Sequence, residues 1–323
     1  MSRARVAKYL LSAALLGAIA YFFQRSFREN WQSVRQHQFR LDYPALALCT
    51  LGLVGSYLLA TLAWHRTLNA MSGQKLRFGQ SVAAVNSSNL AKYLPGKVWA
   101  LALQLYWLSS VGVSKALVTY VNVVNLAVSV VTTLAFGVFL LLFRPDKLSF
   151  GYALALLLTL LTVDLTCVGF HGRLLRWLAA LLSRVFKRKL EAFEPTPRVW
   201  AEMHALHASG ALMFGASAYC ASVGVGHALT FDDGLLVMAA LLLADVAGFL
   251  AVFAPGGLGV REGLMYVMLA GSAGGALALT VPLALRLLNM LVDLGLGGLA
   301  FHFSRDFDRA KPGPTPPPQE IAT

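Results

Sequence analysis

The sequence predicts an all-α polytopic integral membrane protein: a helical bundle of two inverted repeats, each with a re-entrant helical hairpin broken at Pro-Gly. Three observations predict it. Hydrophobic residues make up 57% of the 323 residues and charged ones only 13%, about half the charged share of a soluble domain. Apolar runs long enough to cross a hydrocarbon core of ~30 Å recur along the chain. Two further apolar regions are each interrupted near the middle by Pro-Gly.

In chain order, Met1 to Gln24 has a basic start (Arg3, Arg5, Lys8), an apolar run and an Ala18-Ile19-Ala20 that resembles a cleavage site. Because the run continues through Tyr21-Phe22-Phe23, Val6 to Phe23 reads as a retained first span. Arg25 to Asp42 interleaves four arginines with Trp31 and Phe39, the pattern of a helix lying in the outer interface. Tyr43 to Trp64 is the next span, followed by the broken region Gly79 to Ser110 and the spans Ala116 to Phe143 and Ser149 to Val168. The linker Gly172 to Trp200 carries seven Lys or Arg against two Glu, which places it in the cytoplasm by the positive-inside rule. Within it Leu174, Leu178, Leu181 and Val185 share one helical face and Arg173, Arg176, Arg184 and Lys187 largely another, as in a helix on an anionic membrane surface. The span Ala205 to Val225, the broken region Gly234 to Gly275 and the span Thr280 to Phe303 complete a single transmembrane domain, residues 1–303. Its repeats, about 43–143 and 205–303, are joined by an amphipathic cytoplasmic linker, 169–204. The tail 304–323 is Pro-rich and expected to be disordered in the cytoplasm.

The net charge of +12 lies mostly in linkers between apolar runs. It reads as topology signals and contacts to acidic lipid head groups, not as a nucleic-acid site. Cys49, Cys167 and Cys220 each fall inside an expected span, with no disulfide framework or metal-ligand spacing. No phosphate loop or nucleophile motif occurs, Asp232-Asp233 is a weak acidic pair, and no cofactor is implied. The protein is expected to be a transporter rather than an enzyme.

The segments flanking Pro95-Gly96 run about 16 and 14 residues, roughly 24 and 21 Å as helix, short for a bilayer crossing. Proline lacks a backbone donor and glycine accepts unusual dihedrals, so helices stop there and free polar groups that only protein or a water-filled cavity can satisfy. Counting spans outward from the basic linker makes the first hairpin enter from the cytoplasm and the second, at Pro255-Gly256, from outside. The two halves are then inverted repeats whose breaks approach each other, as in transporters with a site at the repeat interface. Lys92 and Lys97 flank the first break and Arg261-Glu262 follow the second. Asn86, Ser87, Ser88 and Asn89 are expected to satisfy freed backbone or line a cavity. The competing organisation is ten full spans with ordinary Pro-Gly loops and no central site.

Ionisable residues inside spans are costly and face a cavity or one another. Here they are Asp164, Asp245, Arg286 and Asp293, joined by Asn122, Asn125 and Asn289. Arg286, Asn289 and Asp293 are three and four apart and share one face of the last span. Arg286 is placed to pair with Glu262 or Asp245. Asp164 reads as a lone acid near the cytoplasmic interface without a function, and His65, His171, His204, His207, His227 and His302 as anchors near span ends.

KYLPGKVWAL at Lys92 to Leu101, APGGLGVREG at Ala254 to Gly263, and an arginine in the following span, Arg286, resemble the membrane domain of the lysylphosphatidylglycerol synthetase and flippase-like family over approximately residues 6 to 303. By resemblance Tyr93, Pro95 and Gly96 match the first family element, and Pro255, Gly256, Gly259, Arg261 and Glu262 the second. The chain departs from it at Gly96-Lys97-Val98-Trp99, where many members carry further glycines, which implies a different local backbone and head group. About 20 residues follow the last expected span, so lysine transfer to lipid is not expected of this polypeptide.

The resulting expectation is a lipid translocase of the inner (plasma) membrane, moving an anionic or modified phospholipid or a polyprenyl-linked glycan between leaflets. Lys92, Lys97 and Arg261 would attract a phosphate and Glu262 would balance charge in the empty state. The alternative is a non-catalytic membrane partner of a glycan- or lipid-synthesis complex, such as one built on a glycosyltransferase; self-association stays open. An embedded transferase would need an acidic metal cluster that the sequence does not contain.

Overall fold

The computed structural model describes residues 28, 35, 40–73, 75–90, 98–165, 195–251, 254–271 and 274–309. Every regular element among them is helical, and four helices are long and apolar enough to cross a membrane. The expected span Val6 to Phe23, residues 166–194, Ala91–Lys97 and residues 310–323 lie outside the described residues. The first six residues of the tail expected to be disordered, 304–309, instead continue the last helix, since no proline occurs before Pro312.

Helix α1 (Tyr43–Ser72) starts where Asp42 Oδ1 accepts the Ala45 N–H at 3.0 Å and ends at Gly73, whose φ of 65° is left-handed. It runs past the expected end at Trp64, since nothing before Gly73 breaks it. Helices α2 (Phe78–Leu90) and α3 (Val98–Ser110) have 13 residues each, about 20 Å, well short of a bilayer crossing. Helix α4 (Lys115–Leu141) is capped by Ser114, whose hydroxyl accepts the Leu117 N–H at 3.2 Å. An apolar helix α5 follows at Phe150–Leu165.

Helix α6 (Pro197–Gly224) begins eight residues before the expected span at Ala205, within what the sequence assigned to the linker. Thr196 caps it and Pro197 supplies a preset φ, so its first turns are polar helix with an exposed Arg198–Glu202 pair at 3.0 Å. Helix α7 (Phe231–Leu250) is capped by Thr230 and starts three residues before Gly234. A 3-10 turn at Pro255–Gly257 leads to α8 (Val260–Ala270) and then α9 (Gly275–Arg309).

Helices α1 and α6 run antiparallel along their whole length. The Asp42 N–H bonds Gly224 O at 3.0 Å at one end, Gly52 lies midway with its would-be Cβ 3.1 Å from Met213 O, and Ala63 packs with Trp200 and Met203 at the other. Small residues let the two backbones approach. Around this pair partners are exchanged. Helix α9 packs along α2, with Gly297 against Leu90 and Gly79 against Phe303, while α4 packs along α7, with Gly137 against Leu243.

The two ends of the bundle are distinct. At one end α7 starts where α8 finishes: the Arg144–Lys147 turn touches Asp232 at the start of α7, and a Cβ on Gly271, just past α8, would lie 3.8 Å from Lys147 Nζ. There Arg144 donates to Asp232 O at 2.7 Å and to Asp146 at 2.8 Å. At the other end Trp64, Leu68, Leu76, Leu108 and Val113 share a core with Phe303 against it, so α2 starts where α3 finishes.

Candidate functional site

The break after α7 is built from glycines. Gly256, Gly257 and Gly259 have φ of 59°, 68° and 84°, a region that a Cβ disfavours. A Cβ on Gly257 would also lie 2.9 Å from Gly248 Cα and O, so the returning chain touches the α7 backbone. Glu262 then starts α8, its Oε2 accepting the Gly259 N–H at 2.7 Å.

From α9, Arg286 Nη1 reaches both Gly256 O at 3.0 Å and Glu262 Oε1 at 3.3 Å. Of the two partners open to it in sequence, Arg286 therefore takes Glu262. Asp245 of α7 pairs instead with Arg261 Nη1 at 3.3 Å, and the Arg261 guanidinium lies 5.4 Å above the Phe214 ring of α6. Arg261 Nη2 is buried and has no hydrogen-bond partner among the described residues. Four side chains from α7, α8 and α9 thus form two adjacent ion pairs around a helix break. Arg286 is eleven residues into α9, roughly 16 Å along its axis and near mid-bundle.

Beside these pairs is an open cavity of about 150 Å³ lined by residues of α1, α4, α6 and α7, among them Ser56, Tyr57, Ser129, Thr133, His207 and Asp245. Phe214 belongs to the same wall. His207 Nε2 faces Asn125 Oδ1 at 3.2 Å, and since the Asn125 amide nitrogen donates to Val121 O, the histidine is the donor of this pair. The stripe on α9 faces inward as its spacing requires: Asn289 is 4% exposed and Asp293 2%.

Of the sequence-derived site residues, Pro255, Gly256, Gly259, Arg261, Glu262 and Arg286 come together at the second break. Lys92, Tyr93, Pro95, Gly96 and Lys97 lie outside the described residues. Just before them, buried Asn86 donates to Thr61 Oγ1 at 3.3 Å and to Val82 O at 3.2 Å, and Ser87 donates to Ala83 O. These two polar residues tie α2 to α1 and to its own backbone.

Two readings change. Asp164 is not a lone acid: its Oδ2 is 2.9 Å from His204 Nε2, which fastens α5 to α6. His207 is no end anchor either, because α6 begins at Pro197 and so carries it into the cavity wall. The signal for it was present, since His207, Gly210, Ala211 and Phe214 repeat on one helical face. His65, bonded to Ser81 at 2.8 Å, and His227, bonded to Thr280 at 2.8 Å, do anchor helices. No group of three or more metal-ligating side chains occurs among the described residues.

Residues 5–297 match a family described as the lysylphosphatidylglycerol synthase TM region. No curated protein matches the chain.

Proposed function

From the premise that this chain belongs to the lysylphosphatidylglycerol synthase TM-region family, we propose that it is a lipid translocase rather than an enzyme. It would carry the head group of an anionic or modified phospholipid, or of a polyprenyl-linked glycan, between leaflets of the inner (plasma) membrane. The observation that carries this is a broken helix at mid-bundle, held by the Asp245–Arg261 and Glu262–Arg286 pairs and bordered by a polar cavity. Polar groups at that depth are costly in hydrocarbon and useful where a polar head group must pass.

Two arrangements support inverted repeats with re-entrant hairpins. The α2–α3 segment begins and ends at one end of the bundle and α7–α8 at the other, and the last helix of each half packs on the first helix of the opposite hairpin. Arg66, Lys75, Arg77, Lys115 and Arg198 lie toward the α2–α3 end, against Arg40, Arg144 and Lys147 toward the other, a cation bias that fits a cytoplasmic α2–α3 end. The test is leaflet exchange of labelled lipids in liposomes containing the purified protein. Acceleration for an anionic lipid, lost in Arg261→Gln, is expected; no acceleration for any candidate lipid with folded protein rules the function out.

A further inference from the structure

We propose that an anionic phosphate group displaces Asp245 from Arg261, and that each anion bound brings one proton to Asp245. This deepens the translocase function and rests on it, the anion being a lipid phosphate. The Asp245 side chain lines the cavity and is 43% exposed, whereas Arg261 is 12% exposed and lies behind it, over Phe214 of the same wall. The pair is made by one guanidinium nitrogen at 3.3 Å, while Nη2 is buried and unpartnered. A guanidinium binds oxyanions best through two parallel donors, so Asp245 uses half of what Arg261 offers and a phosphate can use all of it.

The remaining charges decide where the balance falls. Arg286 is committed to Gly256 O and Glu262, and Glu262 is committed to Arg286 and the Gly259 N–H. The four charged side chains sum to zero, so an added anion leaves an excess negative charge in a partly dehydrated site. Facing Asp245 across the cavity are Tyr57 of α1, His207 of α6, which donates to Asn125, and Ser129 and Thr133 of α4. None is a cation placed to replace Arg261. The displaced Asp245 carboxylate is the acid with access to the cavity, and taking up a proton restores neutrality.

The test uses the full chain in nanodiscs of phosphatidylcholine, with short-chain phosphatidylglycerol as probe, inorganic phosphate as a second probe and short-chain phosphatidylcholine as control. Affinity for phosphatidylglycerol is expected to fall by up to about tenfold for each unit by which pH rises through the ionisation of Asp245, with matching proton uptake. Asp245→Asn should bind with a flat pH profile, at least about tenfold tighter than the native chain at the alkaline end. Asp245→Glu should keep the slope, and Arg261→Gln should weaken binding at every pH. A native chain with no slope, a slope unchanged in Asp245→Asn, or no binding of either probe by folded protein overturns the proposal. A slope for inorganic phosphate that Asp245→Asn removes, leaving only the ion's own second ionisation, with none for the lipid, overturns the lipid as its source. Leaflet exchange measured on the same preparation reports separately: exchange without proton-linked binding discards this coupling and keeps the translocase, and linked binding without exchange does the reverse.

Discussion

Arg286 of α9 donates to Gly256 O at 3.0 Å and faces Glu262 Oε1 at 3.3 Å, so one side chain holds both the apex of the break and the first turn of the helix that follows. Both charges are largely buried, at 14% and 13% exposure. Removing one strands the other, which sets the first expectation. Arg286→Ala should cost about 3 kcal/mol, read as a lower unfolding midpoint in detergent. Glu262→Gln strands the Arg286 charge in the same way and should cost about 2 kcal/mol, somewhat less than Arg286→Ala because the amide oxygen still accepts the Gly259 N–H. An Arg286→Ala protein that unfolds with the native chain would remove the clamp from consideration.

Two glycines with left-handed φ separate backbone strain from crowding. Gly274 has φ of 87° and open space around a would-be Cβ, whereas Gly257, at 68°, is in near contact with the Gly248 backbone. Gly274→Ala should cost about 1 kcal/mol and Gly257→Ala at least about 3 kcal/mol. Equal costs would mean that the break does not lie against α7.

The α1–α6 contact predicts a crosslink. A Cβ on Gly52 would lie 3.3 Å from Ser217 Cβ, near the ~3.5–4.5 Å of a disulfide. Gly52→Cys with Ser217→Cys, in a chain without Cys49, Cys167 and Cys220, should crosslink under mild oxidation. Gly52→Cys with Met203→Cys should not, as Met203 lies toward the opposite end of α6. Peptide mass spectrometry after digestion reads the outcome.

Single cysteines report sidedness. In sealed cells, Asp146→Cys and Asp233→Cys should react with an impermeant thiol reagent, and Lys75→Cys and Arg198→Cys only after the membrane is opened. Labelling of Asp146→Cys and Arg198→Cys from the same side contradicts the proposed topology.

Acid should loosen the α4–α7 end. Hydrogen bonding to Arg144, together with its positive charge, lowers the Asp146 carboxyl from its ordinary value of 3.8. A depressed folded-state value means that this stabilisation is complete above about 3.8 and is lost as pH falls through the lower value. The unfolding midpoint of Asp146→Asn should therefore decline less steeply over that acid range than that of the native chain.

The long spans were legible because apolar composition over ~20 residues has few other uses. The Pro-Gly break with Arg261, Glu262 and Arg286 was legible for the opposite reason, since polar residues in an apolar setting stand out. Pairing was not. Nothing in one dimension assigns Arg286 to Glu262 and Arg261 to Asp245, because that depends on how α7, α8 and α9 rotate against one another. Nor did Glu262 announce itself as a helix cap, its partner being a backbone N–H on a glycine. The start of α6 was missed although Thr196-Pro197 is an N-cap followed by a first-turn proline; the charges at Arg198 and Glu202 masked it by ending the apolar run.

The exchange of helix partners bears on how the chain is made. Gln80, Ser81, Asn86 and Ser87 give α2 a buried polar content, and α2 is too short to cross the bilayer alone. The helix that covers it, α9, begins only at Gly275, far later in the chain than the end of α2 at Leu90. During synthesis α2 therefore has to wait, sheltered by the insertion machinery or held at the membrane surface, until α9 has been made. Truncation before α9 leaves no smaller working unit, and quality-control proteolysis, rather than partial activity, is its expected fate.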